Sequence, residues 1–142
     1  MKYGALTLAD QQLVLAKAID GAVLLDQQLN KLLDLFDFYV ERYPADTPSE
    51  RLELTDLSVS IKELGTLPRI VALNLHAWRH ETPPVLSREG FEEHVLAELE
   101  LHLFALHSFF VRKGLDTTAY SPVMVNDSMA ALRLANKLLC PA

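Results

Sequence analysis

No proline interrupts the chain between Thr7 and Pro44, and along that run apolar residues recur at alternating steps of three and four: Leu15, Ala18, Ala22, Leu25, Leu29, Leu32, Phe36 and Tyr39. Only a helix of about 3.6 residues per turn lines such a series up on one side. Asp20, Gln27, Lys31, Asp34 and Glu41 take the other side. A packed, amphipathic first helix is therefore expected, and nowhere along the chain does apolar and polar alternation persist over strand length.

Punctuation residues divide the remainder. Thr7 with Asp10 resembles a capping box with Asp in the usual Glu position, so the first helix should begin there. Gly21 is expected to bend or interrupt it, and Pro44 to end it. Thr47-Pro48-Ser49-Glu50 combines a cap hydroxyl, proline at the first helical position and a third-position glutamate. A second helix should run from there to Gly65, a natural residue just past a helix end. Its inward stripe is Leu54, Leu57, Ile61 and Leu64, and Glu53, Asp56 and Glu63 share one acidic flank. A third helix is expected from about Pro68 to His80, before Glu81-Thr82-Pro83-Pro84 stops it. Ser87 caps a fourth that reads to Lys113 and closes on Gly114. After a polar link from Leu115 to Ser121, a last helix is capped by Ser121-Pro122 or by Asp127 and ends near Leu139.

The expected fold class is all-α: an antiparallel bundle of four to five helices, forming a single helical domain over residues 1–142. A chain of this length buries one core and shows no internal repeat or linker. The fourth helix departs from simple amphipathicity. At roughly 100° per residue, Leu96, Leu99, Leu103, Leu106 and Phe110 make one stripe, while Ala97, Leu101 and Phe104 make a second on the opposite side. Such a helix is either central or touches something on both faces.

Half of the residues are hydrophobic beside 23% charged, and the mean hydropathy is +0.13. That leaves apolar surface for a partner or a second copy of the chain to cover. The formal charge of -6 disfavours nucleic acid and anionic lipid, which draw on clustered Lys and Arg, and favours a basic protein partner. Cys140 is the one cysteine, which excludes an internal disulfide and a cysteine-based zinc knuckle. Residues Met1 to Asp10 reach an acid before any signal-like apolar core develops, and no stretch is expected to span a membrane. A cytoplasmic protein is expected.

The histidines carry the sharpest alternative. His76 and His80 are four residues apart, as are His94 and Glu98 and then Glu98 and His102, a spacing that places side chains on one helical face as metal ligation requires. The short Pro83-Pro84 connection could bring His76 level with His94. These pairs are similar to fragments of the hemerythrin-type ligand set, but in reversed order and without its remaining His and Asp motifs, so no family is assigned. His107 has a Lys113-Gly114 pair too far downstream for the phosphorelay histidine motif. A helix-turn-helix across Gly65 would carry only Arg69 and Arg79 on its reading helix. Neither a nucleophile-base motif nor a glycine-rich phosphate loop can be placed.

The leading expectation is a non-enzymatic module that binds and restrains another protein, of the immunity-protein, anti-activator or adaptor type. Its partner-binding residues would be Leu101, Phe104 and Ala97 with Glu53, Asp56 and Glu63, and no catalytic residue, cofactor or metal is expected. The alternative is a metalloenzyme or sensor using His76, His80, His94 and Glu98. A third is a bundle whose apolar cavity is lined by Phe36, Phe104, Phe109 and Trp78.

Overall fold

The computed structural model describes residues 6–141; Met1 to Ala5, which belong to the leader expectation, and Ala142 lie outside the described residues. Among the described residues the fold is all-helical, with four helices and no strand. The first is α1, Leu8–Arg42. Its capping box forms as the local sequence requires: the Asp10 amide donates to Thr7 Oγ1 at 3.1 Å, and the Thr7 amide donates to Asp10 Oδ2 at 3.1 Å. Gly21 does not interrupt it. This glycine is buried where α1 meets the last helix, and a Cβ there would lie 3.2 Å from the Ser128 carbonyl oxygen.

The second and third expected helices are one, α2, Pro48–His80. Gly65 does not end it and Pro68 does not start a new one. The reason is visible in the buried series Leu57, Ser60, Leu64, Leu67, Val71, Asn74 and Trp78, whose alternating steps of three and four run straight across both residues. In a helix interior, glycine costs about 1 kcal/mol and proline about 3. Burying Leu64, Leu67 and Val71 returns roughly 1.5–3 kcal/mol each, so continuity wins. The helix closes at Glu81, whose φ of 54° is left-handed, with the Thr82 amide donating to the Ala77 carbonyl at 3.0 Å.

The third helix, α3, covers Arg88–Arg112. Ser87 caps it, accepting from the Gly90 amide at 3.1 Å. The sequence suggested plain α-helix throughout, but Glu92–Leu96 forms a π turn. The wider turn keeps Phe91, Val95 and Leu96 all fully buried alongside Leu99. Gly114 ends the helix with φ of 72°, and the Gly114 and Leu115 amides donate to Val111 and Phe110 carbonyls. Of the two proposed starts for the last helix, Ser121-Pro122 is the one used. Helix α4 is Pro122–Leu139 and Ser121 Oγ accepts from the Met124 amide.

Four seams place these helices. The Ser121 amide donates to Gln28 Oε1 at 2.6 Å between α1 and the start of α4, while Gly21 touches Ser128 further along. Helix α1 also packs on α2. Between α2 and α3, Glu53 meets Lys113 at 3.1 Å and Ser60 meets His102 at 2.9 Å. Between α3 and α4, Arg88 donates to the Cys140 carbonyl at 2.7 Å, and Arg133 binds Glu92 and Glu100. Along the α1–α4, α2–α3 and α3–α4 seams, residue numbers rise on one helix as they fall on its neighbour.

By length and composition alone α3 is apolar enough to cross a membrane, with mean hydropathy 1.2 over its most apolar 18-residue window, 39% of it buried. Two apolar faces on one helix produce that mean, and only one of them is in the core.

Candidate functional site

The inward face of α3 is complete: Leu99, Leu106, Phe109 and Phe110 are at 0% exposure and Leu103 at 1%. Among the described residues the outward face is not covered. Phe104 is 71% exposed, Leu101 58% and Val111 54%, and Ala97 is exposed with them. Ala97, Leu101, Phe104, Ser108 and Val111 follow steps of four, three, four and three, so they form one continuous ridge along the helix. Sequence reasoning found the first three of the apolar members and missed Val111, although the same spacing reaches it.

Beside this ridge lies an open groove of about 550 Å³, where α4 starts against α3; Leu101, Phe104, His107, Tyr120, Pro122 and Val125 are among its lining. No spacing rule could supply Tyr120, Pro122 or Val125, because they come from a different part of the chain. His107 packs its ring 4.8 Å from that of Tyr120. Burial pushes the His107 pKa down, favouring the neutral ring, and pushes the Tyr120 hydroxyl up to about 12. Both rings are therefore uncharged near neutral pH, and apart from Glu100 and Asn126 the groove presents apolar and weakly polar surface.

Charged residues border the ridge. Glu93 lies near its N-terminal end and Arg112 and Lys113 near its C-terminal end. Arg133 holds Glu92 and Glu100 on the α4 side, and its guanidinium is kept protonated first by the Glu100 hydrogen bond. On the α2 side Glu98 meets His102 Nε2 at 3.2 Å. The acidic flank of α2 runs beside the α2–α3 seam but is not uniformly free: Glu53 pairs with Lys113 at 3.1 Å and with Arg112 at 3.7 Å. The Lys113 pKa rises, chiefly through that hydrogen bond to Glu53. Asp56 and Glu63 carry no ion pair among the described residues.

The histidine ligands do not converge. His76 and His80 sit together with ring centroids 4.3 Å apart and are both exposed. Glu98 is engaged by His102, which is itself hydrogen-bonded to Ser60. Among the described residues no three His, Cys, Asp or Glu side chains cluster as a metal site requires. His94 itself lies within the π turn, so straight-helix spacing does not describe its alignment with Glu98. Of the four aromatics proposed to line one cavity, Trp78 stacks edge-on with Phe91, Phe109 packs against Tyr39 and Phe110, Phe36 is partly buried against the core, and Phe104 faces outward.

Comparison with protein families, with curated proteins and with solved structures gives no match. What the chain does must be argued from the α3 face itself.

Proposed function

We propose that this chain is a non-enzymatic interaction module that binds and restrains another protein, of the immunity-protein, anti-activator or adaptor type, through the outward face of α3. The observation that carries the proposal is the exposure of Phe104 and Leu101, one step of three apart on a helix whose opposite face is fully buried. An apolar centre with charged residues around it is how protein interfaces concentrate binding energy. Ala97, Leu101 and Phe104 would supply the apolar anchor. Asp56 and Glu63, with the net charge of -6, favour a basic partner at the α2 side.

The seams described above support an antiparallel four-helix bundle in which each helix packs beside its sequence neighbour and α4 closes on α1. Such a scaffold holds the α3 ridge rigid, which lowers the entropic cost of docking. We place the protein in the cytoplasm.

Affinity capture from native lysate tests this reading when three baits are compared: wild type, Phe104→Glu, and Val59→Glu as a control on exposed α2 surface. A protein retained by wild type and Val59→Glu but lost with Phe104→Glu is the expected result. Identical retention by all three baits would exclude the α3 face as the binding site.

A further inference from the structure

We infer, on the strength of the interaction reading above, that the partner this face takes first is a second copy of the chain, with the two α3 helices antiparallel about a twofold axis. A twofold interface must be complementary to itself, so that when residue i meets residue j, j also meets i. The α3 ridge satisfies this under reversal. If Leu101 lies opposite the second copy's Phe104, then Ala97 falls opposite Ser108. The two large side chains meet at the centre and the two small ones meet on either side of it, which lets the helices approach closely.

Charge selects the antiparallel direction. The ridge is acidic near Glu93 and basic near Arg112, whose side chain stays 64% exposed beside Glu53 at 3.7 Å, so reversal sets each acidic end level with the second copy's Arg112. A parallel arrangement would instead bring the flanking positions Glu93 and Glu98 of the two copies together, and like charges there are unfavourable. Shape agrees with charge. The groove of about 550 Å³ beside Leu101, bounded by Pro122 and Val125, lies level with where the second copy's Phe104 would arrive, and Phe104 is 71% exposed and free to enter it.

The area sets the strength. From Ala97 to Val111 the ridge extends about 22 Å, and one helix-on-helix seam of that length falls below the roughly 1,200 Å² of a standard stable interface. The dimer is thus weak and reversible, and a heterologous partner can displace the second copy.

Sedimentation velocity on the full chain over a range of concentrations is the first test, with thermal melting alongside. Wild type should pass from monomer to dimer. Phe104→Glu should keep its melting temperature, because the side chain is exposed, and weaken self-association at least about tenfold. The second test reads orientation: Ala97→Cys combined with Ser108→Cys should form an interchain disulfide under mild oxidation, and neither single variant should do so comparably. Native Cys140, 2% exposed, stays out of the exchange. Wild type that remains monomeric throughout overturns the inference, as does a dimer indifferent to Phe104→Glu. Efficient cross-linking by Ala97→Cys alone would mean parallel pairing and also overturn it. A monomeric wild type that still captures a protein through Phe104 leaves the interaction reading intact while removing the second copy, so the two failures are distinct.

Discussion

Leu103 and Phe104 are neighbours in sequence, equally apolar and in the same regular stretch of α3, yet one is 1% exposed and the other 71%. The inward face of α3 is made by what the other three helices bring to it: Tyr39 from α1 stacks edge-on against Phe109, and Trp78 from α2 against Phe91. The outward face meets the start of α4 at its edge, and Leu101, Phe104 and Val111 on it stay more than half exposed. Two apolar faces on one helix thus have the same local chemistry and differ in partners alone. The inward face stabilises the fold, and the outward face retains apolar surface that binding can still bury.

The largest expected effect breaks this comparison directly. Leu103→Ala should lower stability by about 2–5 kcal/mol, the cost of a truncated leucine and its cavity in a close-packed core. Phe104→Ala should change it by less than about 0.5 kcal/mol, as for ordinary surface positions. Urea unfolding of both variants would measure the contrast. Equal losses would mean that the outward face is part of the core and would remove the basis of the proposed function.

Glycines give a smaller version of the same contrast. Gly21 is at the α1–α4 contact, where an added Cβ would meet Ser128 backbone at 3.2–3.3 Å, whereas at Gly65 it would meet nothing within 4 Å. Alanine in a helix interior is favoured over glycine by about 1 kcal/mol. At Gly65 that gain is unopposed, so Gly65→Ala should raise the melting temperature by a few degrees. At Gly21 the clash is with backbone, which cannot move without shifting a whole helix, and Gly21→Ala should be net destabilising by about 1 kcal/mol. Thermal melts of the pair check both signs, and a drop for Gly65→Ala would argue against an unbroken α2.

How much of this was legible depends on how local each signal is. Thr7, Thr47, Ser87 and Gly114 act on backbone groups within a few residues, and each forms the helix end that its type announces. Gly65 and Pro68 mislead because local rules mark them as breakers, while the buried series from Leu57 to Trp78 that overrides them requires treating Ser60 and Asn74 as core positions. The π turn at Glu92–Leu96 has no residue that signals it. At the site, Ala97, Leu101 and Phe104 were identifiable as a second apolar face from spacing alone. Their exposure was not, since it depends on where three other helices lie. The same is true of Glu53, which belongs to an acidic flank by sequence and to an ion pair with Lys113 by tertiary contact.

The smallest expected effect concerns the border between the two faces, where His107 sits half-buried in the groove against Tyr120. Burial lowers its pKa below the ordinary histidine value of 6.5. Between that value and the lowered one, the unfolded chain binds a proton that the folded chain does not. Stability at this residue therefore rises with pH, and it is lost as pH falls through 6.5 towards the folded value, below which the loss levels off. His107→Gln keeps a polar side chain of similar reach and removes the titration. Its melting temperature should fall less than that of wild type on acidification across this window, and the two should respond alike on the alkaline side. If a second copy or a partner covers the groove, desolvation of His107 increases and the histidine-dependent acid sensitivity should grow with protein concentration. Melts at a low and a high concentration, each at two pH values, would separate burial within one chain from burial by another. An unchanged acid response in His107→Gln would show that the ring is better solvated than its packing against Tyr120 implies, and would place the edge of the binding face on the α3 side of His107.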